Sequence, residues 1–351
     1  MKLALFLPNW LGDMVMATPA VRAMRRHYGP SARLVGIMRP GLAGLLAGTG
    51  WLDDEWYYAP RAKAAEQGTL RLVGRMRRER FDVAVLLPNS LRTAAVAWLG
   101  GARQRIGYAR YGRGPLLTRK LFARREGRRL VAQPMVDYYL ALAEAAGCPP
   151  ESPRLELALT EPERERGDAI WRSLGLRAGR HVVALNSSGA YGAAKLWPVE
   201  KCAGLARRIA EQGDCDVLVL CGPGEEPSAR AIAQRAAHAR VFALAGQPLG
   251  LAATKACLAR CCVTVSTDSG PRHVAAAFGK PVITLFGPTT PVWTANPEVR
   301  SVDVQLDLEC AGCAERTCPL GHHRCMRDLP VERVYGEVRR LLEENSAVRA
   351  A

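Results

Sequence analysis

The sequence predicts two doubly wound α/β domains in tandem, on three observations. The chain has 351 residues, 48% of them hydrophobic, more than one ordinary core organises. Short continuous apolar runs recur through both halves, the pattern of strands covered on both faces in a parallel sheet. Stretches of roughly 10 to 15 residues with helical patterning separate those runs, as in β-α-β crossovers.

The first run, Leu3 to Pro8, leads through the polar turn Asn9-Trp10-Leu11-Gly12-Asp13 into a helical stretch expected from Met14 to about Tyr28. Further strands are expected at Ala32 to Met38 and at Phe81 to Pro88, the latter followed by a polar turn and a helix. Proline and charge cluster from Cys148 to Gly167, which predicts the domain junction and divides the chain into residues 1–160 and 161–351. The last helix is free to pack back toward the first domain. The second half alternates more regularly, with strands expected at His181 to Ser187, Asp216 to Gly222, Val241 to Gly246, Cys262 to Asp268 and Pro281 to Gly287.

No stretch approaches the ~20 uninterrupted apolar residues that span a bilayer. The opening apolar run is cut by Pro8, Asn9 and Asp13, so no signal peptide and a cytoplasmic location are expected. Residues 1–150 carry 24 Lys and Arg against 10 Asp and Glu, +14, and the remainder 25 against 23, +2, so nearly all of the net +16 sits in the first half. It is densest from Arg103 to Arg129. Such a half favours a polyanion: nucleic acid, an anionic membrane face, or a phosphorylated or carboxylated substrate.

The turns after the predicted strands carry the chemistry. After Cys262 to Asp268 comes Asp268-Ser269-Gly270-Pro271-Arg272-His273, where Ser269 can cap a helix and Gly270 lets backbone approach a ligand. A helix N-terminus there presents N–H groups and positive dipole to a phosphate; an ordinary capped turn would have the same residues. The turn Asn186 to Pro198 supplies Ser187, Ser188 and Lys195, a diphosphate partner or a surface lysine at a helix start. The turn Cys221 to Glu226 places Glu225 or Glu226 where ribose hydroxyls are commonly held. Together the three turns describe a nucleotide-diphosphate site. P-loop and Gly-rich dinucleotide fingerprints are absent from the sequence. Asp214 and Asp216 form a D-x-D at the start of a strand, the wrong end of a parallel sheet for a metal-bound sugar nucleotide. In the first half Asp13 follows the first strand, placed to act as a general base or to cap the helix. Cys310, Cys313, Cys318 and Cys325, with His322 and His323 in the last gap, have a spacing compatible with a structural zinc, a redox-labile pair or plain thiols.

Four segments resemble the heptosyltransferases of glycosyltransferase family 9: Pro8 to Met16, Leu86 to Ala94 with Arg105 to Tyr108, Ser187 to Pro198, and Thr267 to Pro281. The second segment and the cysteine-rich tail look most like the heptosyltransferase II branch. The resemblance implies a GT-B fold of two Rossmann-like domains facing a cleft, and an inverting transfer of heptose from ADP-heptose to the first heptose of Kdo2-lipid A. It puts the base on Asp13 and diphosphate neutralisation on Lys195. The donor would meet Ser187, Ser188, Glu225, Asp268, Ser269, Gly270 and His273. The acceptor would meet Asn9, Trp10, Gly12, Asn89, Ser90, Arg92, Arg105 and Arg110. No cofactor is required on this reading, and a monomer peripheral to the inner leaflet of the inner membrane is expected. The family usually carries Pro-Gly-Ala where this chain has Asn186, Ser187 and Ser188.

Alternatives are heptosyltransferase I activity or another GT-B transferase with a different sugar nucleotide. From other classes come a nucleic-acid-binding protein and a non-catalytic sugar-nucleotide sensor. The first would explain the basic half but not the three turns, and no nucleic-acid-binding module is present; the second would keep its function without Asp13.

Overall fold

A computed structural model describes residues 1–61, 65–127, 129–177, 179–187, 189, 192–213 and 215–350. The chain divides into two compact units. One comprises Met1–Ala158 with Val292–Glu298, the other Leu159–Pro291 with Val299–Ala351.

The first unit runs β1 (Lys2–Phe6), α1 (Leu11–Met16), α2 (Thr18–Tyr28), β2 (Arg33–Met38), β3 (Asp54–Tyr57), α3 (Thr69–Glu79), β4 (Val83–Leu86), α4 (Leu91–Leu99), β5 (Gln104–Tyr108), β6 (Arg119–Leu121), β7 (Arg125–Glu126), β8 (Arg129–Leu130) and α5 (Met135–Ala145). Six strands form one sheet in the order β3-β2-β1-β4-β5-β6, and β7 and β8 make a separate antiparallel hairpin. The second unit runs α6 (Glu161–Leu174), β9 (Val182–Asn186), α7 (Val199–Gln212), β10 (Asp216–Val219), α8 (Glu226–Ala236), β11 (Val241–Ala243), α9 (Leu251–Arg260), β12 (Val263–Thr267), α10 (Gly270–Ala277), β13 (Val282–Phe286), β14 (Ser301–Gln305), α11 (Arg324–Arg327) and α12 (Val331–Ala350). Its sheet has the order β11-β10-β9-β12-β13-β14, the same winding as the first. Strand pairing within both sheets is parallel, with Phe6 opposite Leu86 and Ser266 opposite Asn186 in register.

Each sheet is therefore a Rossmann-like doubly wound sheet, and its strand order reverses at one place: between β1 and β4, and between β9 and β12. Ligands of such sheets sit at the carboxyl ends of strands flanking that reversal, because the two crossovers leave in opposite directions and open a crevice there. The central strands are continuous apolar runs because helices cover both faces. On one face of the first sheet Phe6, Ile37, Trp56, Met76, Phe81 and Leu86 share a buried cluster, with Trp56 and Phe81 edge to face at 5.5 Å. Burying each of these large side chains stabilises the unit by about 2–3 kcal/mol.

The helix expected from Met14 to about Tyr28 starts earlier, at Leu11, and is broken into α1 and α2 at Ala17. Pro19 has no N–H to give to the Val15 carbonyl, and the Thr18 hydroxyl donates to that carbonyl instead at 2.7 Å. Arg22, buried on α2, donates to the carbonyls of Ser152 and Arg154 and pairs with Glu156, which ties the segment leaving the first unit back onto it. In the second unit α12 packs on α7, β12 and β13. Among the described residues no helix is long and apolar enough to cross a membrane.

Candidate functional site

The second unit builds a charged centre at the β9–β12 reversal. β9 ends at Asn186, whose side-chain amide donates to Ser266 Oγ at 3.0 Å and Ser269 Oγ at 2.8 Å, pinning the two strand ends together. Ser187 follows, buried. Lys195 closes a short 3-10 turn and is 7% exposed; its ammonium donates to the backbone carbonyl of Asp268 at 2.8 Å and to Asp268 Oδ2 at 2.7 Å. The guanidinium of Arg272 donates to Asp268 Oδ1 through Nε and Nη2 at 3.2 and 3.0 Å, and the Thr289 hydroxyl donates to Oδ2 at 2.8 Å. Burial would raise the Asp268 carboxyl, but the Arg272 and Lys195 cations outweigh it and hold the group far below the ordinary carboxylate range. Asp268 is thus an ionised hub between two cations.

Ser269 occupies the N-cap position of α10, yet its side chain makes no cap hydrogen bond, in contrast to the capping role its type suggests. Its hydroxyl is taken by Asn186 and by Ser266 at 3.1 Å. Gly270 and Pro271 open the helix, which aims its positive end at the Lys195 turn. His273 is buried in the first turn, and burial, reinforced by Arg272 and Lys195, pushes its pKa well below the usual value, so it is neutral at pH 7. Lys195 and Arg272, beside a helix N-terminus, form a cationic corner suited to a diphosphate, with Asp268 between them and Asp303 within electrostatic reach of Arg272. Glu225 folds onto its own turn, its Oε2 accepting from the Gly222 N–H at 2.7 Å, and Glu226 begins α8. Ser188 lies outside the described residues, as does Asp214 of the D-x-D. Its partner Asp216 starts β10, buried at the amino end and ion-paired with Arg180 at 3.6 Å.

In the first unit Asp13 lies in the first turn of α1, just past β1, and is not its cap; the N-cap is Trp10. Its Oδ1 accepts from the Tyr139 hydroxyl at 3.1 Å. After β4, Asn89 Oδ1 accepts from Arg113 Nη2 at 3.0 Å and from the Tyr138 hydroxyl at 3.1 Å, while Ser90 caps α4 by accepting from the Thr93 N–H at 3.1 Å. Arg113, fully buried, also donates to the carbonyls of Tyr108 and Pro88. Burial lowers its pKa to about 10, so it remains a cation at neutral pH. Arg105 lies near the amino end of β5, where it donates to the carbonyls of Leu116 at 2.7 Å and Ala102 at 2.5 Å. Arg110, past the carboxyl end of the same strand, lies over the Tyr111 ring at 5.0 Å.

A cavity of about 710 Å3 opens at the carboxyl ends of β1 to β4, lined by Asn9, Trp10, Arg39, Pro60, Arg61 and Arg92 among others. Three arginines and no carboxylate line it among the described residues. Planar guanidinium groups on an apolar wall suit a carboxylate- or phosphate-bearing ligand with hydrophobic parts. The sequence profile described as glycosyltransferase family 9 (heptosyltransferase) matches residues 69–324.

The chain belongs to that family. It is a glycosyltransferase, and its two Rossmann-like units are those of the GT-B fold. It is 27% identical to lipopolysaccharide heptosyltransferase 2 of Escherichia coli K12 over 99% of this chain and 100% of that one. The solved structure of E. coli ADP-heptose lipopolysaccharide heptosyltransferase II aligns with a TM-score of 0.78 at 24% identity, covering 99% of this chain and 100% of the other. A family 9 glycosyltransferase from Veillonella parvula aligns with a TM-score of 0.81 at 20% identity over 98% and 97% of the two chains.

In this family 9 chain the cysteine-rich tail lies against the Lys195 turn. Among the described residues no group of three or more His, Cys, Asp or Glu is placed to hold an ion. The zinc ligands expected at Cys310, Cys313, Cys318 and Cys325 are free thiols, and the histidines between them have other partners. The His323 ring bonds the Ala194 carbonyl at 2.6 Å, the Arg316 carbonyl accepts from the Ala194 N–H at 3.1 Å, and Cys318 Sγ accepts from the His323 N–H at 3.3 Å. Gly192 is required on the other side of this contact: a Cβ there would come within 2.4 Å of the Arg316 carbonyl. The tail braces the turn that carries Lys195. Arg272, Thr289, Tyr139, Arg39 and Arg61 are contributors without a sequence expectation, and the His323 ring acts on the Lys195 turn and not on the cysteines around it. Of these, Arg272 lies within the Thr267 to Pro281 segment and His323 within the cysteine tail, whereas Tyr139 lies in no segment that the sequence marks.

Proposed function

We propose that the chain transfers heptose with inversion from ADP-heptose to the first heptose of Kdo2-lipid A, in assembly of the lipopolysaccharide inner core. The observation that carries this reading is the buried Lys195–Asp268–Arg272 centre at the β9–β12 reversal of a family 9 chain. As the acceptor oxygen bonds the anomeric carbon, its proton passes to the Asp13 carboxylate and the bond to the ADP oxygen breaks with its electron pair. Lys195 and the N-terminus of α10 stabilise the charge that develops on the departing diphosphate. Asp268 keeps the ammonium in place before the donor arrives, and Glu225 is the carboxylate offered to the ribose. Neutral His273 contacts the donor without adding charge.

The acceptor reading is supported by Arg39, Arg61 and Arg92 around the cavity beside Asn9 and Trp10, since Kdo carries carboxylates and lipid A phosphates. Arg105 is bound to backbone at the opposite end of its strand and is dropped from that set. Asn89 and Ser90 shape the loop under Arg92. Peripheral association with an anionic leaflet is supported by one edge of the first unit. Tyr111 and Phe122, 69% and 76% exposed, follow the two segments that the Ala109 N–H to Leu121 carbonyl bond joins. Arg119, Lys120, Arg124 and Arg125 on either side of Phe122 in the chain are exposed. Arg128 lies outside the described residues.

The test is heptose transfer from ADP-heptose to heptosyl-Kdo2-lipid A by wild type and by Asp13→Ala. Product from wild type and near-complete loss in the variant are expected. Donor binding without product would redirect the search to other acceptors, and failure to bind ADP-heptose would sink the donor assignment.

A further inference from the structure

We infer that Tyr139 is a positioning residue for the transfer, holding the Asp13 carboxylate in the orientation from which it takes the acceptor proton. The inference rests on the reading of Asp13 as the base. α1 is only six residues long, and Asp13 lies in its first turn. α5 packs against α1 and brings Tyr139 to Asp13 from 126 residues away in sequence. The hydroxyl donates to Oδ1 at 3.1 Å from a side chain that is 4% exposed. Burial, the Asp13 charge and their hydrogen bond all push the phenol well above its usual value, so it stays protonated and can only donate.

The ring is itself clamped. Tyr139 meets Tyr138 edge-on at 6.0 Å, and Tyr138 stacks on Tyr108 at 3.7 Å with the planes 11° apart. The Tyr138 hydroxyl donates to Asn89, which Arg113 also holds. A buried aromatic row thus connects the ends of β4 and β5 to the base that follows β1.

Two effects of the bond oppose each other. Donation to the carboxylate lowers its basicity, and a modest loss of basicity costs proton transfer less than tenfold, since only a fraction of the driving force is felt in the transition state. Misplacement of a catalytic group by ~1 Å costs on the order of 10²-fold. Positioning wins, so removing the hydroxyl slows transfer.

Phenylalanine would fill the same space, which isolates the hydroxyl. The experiment measures kcat and KM for wild type, Tyr139→Phe, Asp13→Asn and the double variant, with ADP-heptose and heptosyl-Kdo2-lipid A. Tyr139→Phe is expected to lower kcat about tenfold or more while the donor KM stays within about twofold. In the Asp13→Asn background, where the charged acceptor of the bond is gone, the same change is expected to alter the residual rate less than about twofold. Equal fractional losses in the two backgrounds would mean a structural role and overturn the inference, as would a Tyr139→Phe kcat near wild type. A fully active Asp13→Asn would instead overturn the reading of the base on which the inference stands.

Discussion

The two units share a winding order but hold their charge differently. In the second, Lys195, Asp268 and Arg272 are largely desolvated and bonded to one another, and the charges are concentrated at one strand end. In the first, the cations that line the cavity, Arg39, Arg61 and Arg92, are exposed, and the buried polar groups are tyrosines, threonines and two arginines, Arg22 and Arg113, bonded largely to carbonyls. Desolvated charge acts strongly at short range and pre-organises a transition state; exposed charge attracts a large anionic partner from a distance and is weakened by salt. The near-neutral second half is therefore the electrostatically stronger site, and the strongly basic first half is the longer-ranged one.

Removing Lys195 should have the largest effect of any test of this contrast. Lys195→Ala is expected to lower kcat by about 10²- to 10³-fold, as loss of one pre-organised donor does, with steady-state kinetics as the check. A change confined to KM would place the lysine in uniform binding instead. Asp268→Asn leaves both cations buried without their counter-charge and is expected to destabilise the second unit by about 3–5 kcal/mol in denaturant unfolding. If the unit keeps wild-type stability, the ion network is not holding the site.

Replacing Arg39, Arg61 and Arg92 together with alanine should be milder and different in kind. The acceptor KM is expected to rise about tenfold, and its dependence on salt to flatten, with little change in stability. Salt dependence equal to wild type would move the acceptor away from this cavity.

The smallest effect concerns pH. The folded pKa of His273 lies below its ordinary 6.5, so its contribution to stability is present above pH 6.5 and is lost as the pH falls below it, by about 1 kcal/mol per unit. Wild type should therefore lose more thermal stability between pH 7 and 5.5 than His273→Gln does. Parallel curves would show that His273 is not kept neutral by the fold. Asp268 acts in the same sense at lower pH, losing its contribution as the pH falls below its ordinary 3.8.

Strands buried on both faces were legible because each must be a continuous apolar run: β2, β4, β9, β10, β12 and β13 lie within predicted segments, β1 starts one residue earlier at Lys2, and the edge strand β11 was also marked. β3, β5, β6 and β14 were not, because Asp54–Tyr57, Gln104–Tyr108, Arg119–Leu121 and Ser301–Gln305 mix charge and polarity in ways that a strand flank or sheet edge tolerates. The break at Ala17 was readable from Pro19 but was hidden by the helical pattern around it. The cysteine spacing carried no sign that the same segment braces the Lys195 turn, a contact made through the His323 ring and the Arg316 carbonyl.

The sequence alone determined the two doubly wound units, the imbalance of charge between the halves, and the turns that carry Asp13, Lys195 and Asp268. These follow from local apolar patterning, composition and strand-end chemistry, which neighbouring residues decide. Tertiary structure alone decided that Asp268 joins Lys195 to Arg272, that Arg39 and Arg61 share a cavity with Arg92, and that Tyr139 reaches Asp13. Those pairings depend on which strand ends lie side by side, and parallel crossovers bring together residues that the chain keeps far apart.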